Sequence, residues 1–155
     1  MNVVFAGGGT GGHLYPAIAI ADELRQRGAQ VEFVGTAGRL ESTIVPKCGY
    51  ELHLIAARPL ARRFDPSVVT TFGATVAGTV QSLFLLRKLR PDAVIATGGY
   101  VCFPLILAAR MLRGLRALRG PIALFEPNAR PGLTNRLLAP MVDEVWGAFA
   151  AADSV

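Results

Sequence analysis

Apolar residues fall in two rhythms along this chain. Short continuous runs stop at glycine or proline, and between them apolar residues recur at helical spacing. Asn2–Ala6 is such a run and predicts a buried strand. His13–Arg27 carries apolar residues at 14, 17, 18, 20, 21 and 24, then Gly28, and predicts a helix with a glycine stop. Further along, the same two patterns predict strands over Gln30–Val34, Glu51–Ala56, Asp92–Ala96, Ile122–Phe125 and Glu144–Phe149. Helices are predicted over Leu40–Lys47, Ser67–Leu89, Cys102–Arg119 and Gly132–Leu138. Arg58–Pro66 reads as a basic loop. Strands that alternate with helices and are apolar on both faces imply a parallel sheet covered on both sides. The fold class is therefore α/β: a doubly wound, Rossmann-like single domain over 1–155 with strand order 3-2-1-4-5. No helix follows the sixth strand, which reads as a piece of a longer protein.

Composition narrows the picture. The 155 residues are 52% hydrophobic and 17% charged, enough for a real core and unlike a disordered tail. Two cysteines, Cys48 and Cys102, build no disulfide framework and read as reduced cytosolic thiols. Met1-Asn2 runs straight into a strand, without the basic start of a signal peptide. The net charge of +5 is local. Ten basic and two acidic residues lie between Arg58 and Arg119, a net +8 that leaves −3 elsewhere. Such a stretch can form a surface toward an anion or a membrane. It lacks interleaved aromatics and any known nucleic-acid motif, so no nucleic acid is expected. Pro66–Leu86 is uncharged for 21 residues but rich in Thr, Gly, Ser and Gln. A core helix with an apolar outer face fits it better than a transmembrane span.

Three loops carry candidate chemistry. Gly7-Gly8-Gly9-Thr10-Gly11-Gly12-His13 follows the first strand, Thr97-Gly98-Gly99-Tyr100 the fourth, and Glu126-Pro127-Asn128 the fifth. All three lie at carboxyl ends of strands, and the first two flank the topological switch point. Facing glycine loops leave room for a ligand against the backbone, and the free N–H groups of the following helix favour phosphate. Gly7-x-Gly9-x-x-Gly12 also fits the dinucleotide fingerprint, but strand two ends Val34-Gly35-Thr36 without the acid that would hold a ribose. Glu32 lies inside the strand, and Arg39 is the only stand-in for a 2′-phosphate partner. A nucleotide-sugar or pyrophosphate ligand fits better than a nicotinamide cofactor. His53 falls in strand three and reads as structural. No His, Cys or acidic group has metal-ligand spacing, so neither a metal nor a cofactor is expected.

Taken together, Gly8-Gly9-Thr10-Gly11-Gly12-His13-x-x-Pro16, Gly35-Thr36, Val45-Pro46-Lys47, Pro91-Asp92, Gly98-Gly99-Tyr100-Val101 and Glu126-x-Asn128…Gly132-Leu133-Thr134-Asn135 resemble the MurG glycosyltransferase family over essentially the whole chain. The resemblance implies the N-terminal, acceptor-side half of a two-domain GT-B enzyme. That enzyme moves N-acetylglucosamine (GlcNAc) from UDP-GlcNAc to the C4 hydroxyl of the muramyl sugar in lipid I, with inversion, at the cytoplasmic face of the bacterial membrane. It further implies donor contacts at Thr10, Gly11, Gly12 and Asn128, and acceptor-side positions at His13, Tyr100 and Glu126. Gly98 and Gly99 belong to the same substrate cleft. A separate donor-binding domain is implied, so this half alone is expected to be inactive. Phe125 and Pro127 depart from the family's usual His and Gln around the glutamate, and Cys102-Phe103-Pro104 replaces smaller residues. The stretch Arg110–Arg119 is also longer than usual.

The implied attack by a hydroxyl calls for a general base, with His13 and Glu126 as the candidates. Imidazole is the better suited to work near neutrality, and a helix N-terminus favours its neutral form. A plain hydrogen-bonding role for His13, and a packed aromatic role for Tyr100, stay open. Arg110, Arg113, Arg116 and Arg119 fall on one side of a continuous helix, beside Met111, Leu112, Leu115 and Leu118. This pattern fits either an interfacial helix or an ordinary solvated face. With Arg62, Arg63, Arg87, Lys88 and Arg90 it would form a peripheral anchor on anionic lipid. Another lipid-acceptor GT-B enzyme, such as a diacylglycerol glucosyltransferase, and a non-catalytic membrane-recruiting half of a split transferase are the rival readings.

Overall fold

A computed structural model describes residues 1–59 and 67–149. Six strands form one parallel sheet in the order β3-β2-β1-β4-β5-β6. They are β1 (Asn2–Ala6), β2 (Gln30–Gly35), β3 (Glu51–Leu54), β4 (Ala93–Ala96), β5 (Ile122–Glu126) and β6 (Glu144–Gly147). Helices α1 (Gly11–Gln26), α2 (Leu40–Lys47), α3 (Ser67–Leu89), α4 (Cys102–Gly114) and α5 (Leu133–Leu138) make the crossovers, and a short 3-10 turn, Ala139–Met141, follows α5. The predicted order of the first five strands holds, and β6 extends it at the edge.

Side chains alternate across each strand, so one strand serves two cores. Val3, Phe5, Val31 and Phe33 pack under α1 and α2 with Leu14, Ala17, Ile18 and Val45. Val4, Ala6, Val34, Val94 and Leu124 pack under α4 with Leu105, Ile106 and Leu112. Phe5 and Phe33 stack at 5.4 Å between centroids, which fixes β1 against β2 on the first face. The thiol of Cys102 is fully buried and donates to the carbonyls of Ala6 and Gly98. Burial pushes that thiol up to about 12.

Two predicted boundaries move, with consequences. Helix α1 starts at Gly11 rather than His13. His13 therefore sits in its first turn, and its N–H reaches the carbonyl of Thr10. Helix α4 ends at Gly114, not Arg119. Arg116 takes a left-handed backbone (φ 57°), and Ala117 N–H bonds to Leu112 O, which closes the helix in a Schellman turn. The continuous four-arginine face is thus corrected: Arg116 and Arg119 lie beyond the helix. Arg113 is not a free cation either, because it pairs with Asp143 and donates to Gly120 O.

Helix α3 carries the apolar outer face expected of it but is covered less than a core helix would be. Only 22% of its most apolar stretch is buried. Thr71, Ser82 and Leu86 face inward, and a side chain at Gly78 would strike the carbonyl of Ala56. Val69, Phe72, Val80 and Phe84 form the expected apolar outer face, while Leu83, Leu85 and Leu89 pack against the core beside Leu86. Arg62 and Arg63 lie outside the described residues.

Candidate functional site

The register of β1 against β4 pairs Ala6 with Ala96, so the two glycine loops leave the sheet side by side. Thr97 joins them: its N–H donates to Ala6 O at 2.8 Å, and its hydroxyl to His13 O at 2.8 Å. The loops nearly touch. Gly99 has φ 88°, and a Cβ there would lie 2.3 Å from Gly8 O, so glycine is required on both counts.

Above them opens a cleft of about 430 Å³, lined by Gly8, Gly9, Thr10, His13, Arg39, Gly99, Tyr100 and the start of α5 from Gly132 to Asn135. Of the predicted site residues, Thr10, His13, Gly99 and Tyr100 line it. Gly11 and Gly12 lie behind it in the first turn of α1, and Gly98 lies beneath. Glu126 and Asn128 do not line it.

His13 Nδ1 lies 2.9 Å from Thr97 O. A carbonyl can only accept, so Nδ1 carries the proton and Nε2 of the neutral ring keeps its lone pair. The ring packs tightly. A Cβ on Gly98 would fall 2.5 Å from Nδ1 and 3.2 Å from Asn135 Oδ1.

Glu126 is fully buried at the end of β5. One oxygen accepts from Asn128 N and Nδ2 at 2.9 and 2.8 Å; the other accepts from Gly132 N at 3.2 Å and Asn135 Nδ2 at 2.8 Å. All four partners are N–H donors, so this carboxylate shapes the loop from 127 to 132. Because the Asn135 amide nitrogen faces Glu126, its Oδ1 faces the other way. It is buried without a partner among the described residues.

A second buried carboxylate, Glu41, escaped the sequence reading. It accepts from Gly9 N, Thr36 N and the Thr36 hydroxyl, and thereby braces the first glycine loop from α2. The Thr36 hydroxyl also meets the Tyr100 hydroxyl at 3.2 Å, so the two glycine loops and the end of β2 share one network. Its only sequence signal is an acid in the first turn of a helix that follows the Gly35-Thr36 strand end. Arg39, just before α2, is the one basic side chain among the residues that line the cleft besides His13.

His53 lies elsewhere, on β3, where its Nε2 pairs with Glu32 at 2.6 Å. Parallel pairing sets Glu32 opposite Glu51 and brings the three groups within 4.8 Å of one another, a proximity that spacing along the chain does not reveal. The pair with Glu32 accounts for His53 without a further ligand.

A doubly wound parallel sheet with a glycine-lined cleft at its switch point, with Arg39 and His13 among the lining residues, defines the Rossmann-like class. Residues 3–146 match the model of the glycosyltransferase family 28 N-terminal domain. The chain belongs to that family. It is 41% identical over 153 residues to a protein of Halothermothrix orenii, covering 99% of this chain and 40% of that protein. It is 46% identical over 154 residues to one of Desulforudis audaxviator, covering 98% and 40%. Both are named UDP-N-acetylglucosamine–N-acetylmuramyl-(pentapeptide) pyrophosphoryl-undecaprenol N-acetylglucosamine transferase. The chain thus spans about two-fifths of the length of these relatives. The crystal structure of Acinetobacter baumannii MurG superposes with a TM-score of 0.79 at 28% identity, over 97% of this chain and 42% of that one. The Streptomyces glycosyltransferase SsfS6, at TM-score 0.62 and 16% identity, shares the fold.

Proposed function

We propose that this domain is the acceptor side of an inverting transferase that moves GlcNAc from UDP-GlcNAc to the C4 hydroxyl of the muramyl sugar in lipid I. The observation that carries the proposal is His13, held in the cleft by Thr97 with Nε2 left as an acceptor. In this reaction the hydroxyl oxygen bonds to the anomeric carbon on the face opposite the diphosphate. The anomeric C–O bond breaks and its electron pair leaves with UDP. Nε2 of His13 takes the hydroxyl proton. The backbone of Thr10, Gly11 and Gly12 at the start of α1 and Arg39 meet the diphosphate. Tyr100 and the free Asn135 Oδ1 hold sugar hydroxyls. Asn128 contacts the donor through its exposed amide oxygen. Glu126 acts as a positioning residue rather than as the base. Most of the donor is held by a second domain. With radiolabelled UDP-GlcNAc, an enzyme carrying this domain is expected to label a lipid I analogue and to leave diacylglycerol unlabelled. Label on diacylglycerol instead would replace the acceptor.

The same reading places the domain peripherally at the cytoplasmic face of the membrane. Support comes from α3, whose exposed Phe72, Val76 and Val80 line an apolar cleft of about 550 Å³ with Phe103, Leu107 and Met111 of α4, while its exposed Phe84 sits in a neighbouring recess beside Leu54. Lys88 and Arg110 are exposed on the same two helices. Apolar faces beside basic groups insert at anionic interfaces. Burying one Phe is worth about 1.5–3 kcal/mol. The double variant F72D/F84D is therefore expected to float with phosphatidylglycerol vesicles at least about tenfold more weakly than the parent. Equal binding of the parent to neutral and anionic vesicles would overturn the basic part of this surface.

A further inference from the structure

At the opposite end of the strands from the glycine loops, the C-terminal ends of α3 and α4 enclose a third cleft, of about 740 Å³. Arg87, Arg90, Arg116 and Arg119 line it, with Asp92 as the one acid. An oxygen of that acid is already engaged, accepting from Asn2 N at 2.7 Å. Among the described residues, none of the four guanidinium groups has a hydrogen bond or ion pair. Arg113 next to them is instead paired with Asp143, so the local chain does neutralise an arginine where neutralisation is the purpose.

The backbone marks the same two positions. Arg90 (φ 47°) and Arg116 (φ 57°) are the only non-glycine residues with left-handed backbone among those described. Arg90 directly follows α3 and Arg116 follows the C-cap of α4, places where glycine is the unstrained choice. Gly28, in the equivalent place near the end of α1, shows that the chain uses glycine where only a turn is needed (φ 84°). Cations do complement the negative end of a helix. That effect calls for a charge in the last turn, which Arg87 and Arg113 already supply. It does not account for arginine on a left-handed backbone.

Guanidinium groups match phosphate oxygens in pairs, and unpaired ones around a recess form a receptor for closely spaced phosphates. We propose that this four-arginine cleft binds a phosphate-bearing ligand at a site separate from the transfer cleft. The chemistry is shared by two sources, a free diphosphate and the phosphodiester headgroup of a lipid. The proposal holds whatever the acceptor of the transfer reaction is.

The test uses the whole chain, with inorganic pyrophosphate and phosphatidylglycerol vesicles as probes. In the R90G/R116G variant glycine suits the backbone, so the fold is kept or stabilised. R87Q/R119Q is a second variant that leaves both turns untouched. A free-phosphate source predicts that pyrophosphate moves the amide resonances of residues 117–120. Its affinity then falls at least tenfold in both variants and is unchanged in F72D/F84D. A headgroup source predicts no such shifts, but at least tenfold weaker vesicle binding in both arginine variants. If neither probe separates the variants from the parent, the cleft is no phosphate site and the proposal fails.

Discussion

Replacing His13 by alanine is expected to lower the transfer rate about 10²- to 10⁴-fold, the usual contribution of a positioned general base. The loss should appear in kcat, with KM for UDP-GlcNAc little changed, because in the proposed reaction Nε2 acts on the acceptor proton. The melting temperature should stay near that of the parent. Two contacts decide this. The imidazole makes one hydrogen bond, from Nδ1 to Thr97 O. The contact that ties α1 to the second glycine loop runs from the Thr97 hydroxyl to the backbone carbonyl of His13, and alanine keeps that carbonyl. A loss under tenfold in kcat would leave His13 as a residue that only shapes the loop.

Much of this site is legible in the sequence because strands and glycine loops are local signals. Glycine stops after β1 and β4 place the two loops, and the parallel α/β rhythm places them side by side. What escapes is carried by contacts between distant residues. Glu41 and Gly9 are 32 positions apart, and no periodicity links them. Asn135 stands in a motif, yet its Oδ1 acquires meaning only when Glu126 holds its nitrogen. The end of α4 is misjudged for a different reason. Arginines at 110, 113, 116 and 119 keep helical spacing, and Gly120-Pro121 looks like the stop. The chain instead turns at Arg116 by accepting a left-handed conformation that arginine seldom adopts. In α3 the apolar outer face is legible in the sequence, but how little of the helix the core covers is not. Small and hydroxyl side chains let the helix approach the Ala56 carbonyl closely, and the bulky residues turn outward.

Glu126→Gln is expected to do what His13→Ala does not, and to unsettle the domain itself. Each carboxylate oxygen now accepts two N–H groups in a fully buried site. A glutamine must turn its NH2 toward one of these pairs, and turned toward the exposed Asn128 it sets its own buried NH2 against two part-buried donors. An unsatisfied buried group costs about 1–3 kcal/mol. For a domain of this size that lowers the melting temperature by roughly 2–12 °C. Transfer falls alongside, because Asn135 and the loop from 127 to 132 lose the acceptor that sets them. Read together by calorimetry and steady-state kinetics, the two variants separate the roles: His13 loses rate at constant stability, Glu126 loses both. A Glu126→Gln protein that melts with the parent yet has lost its kcat would move Glu126 from a positioning residue to one that touches the reacting atoms.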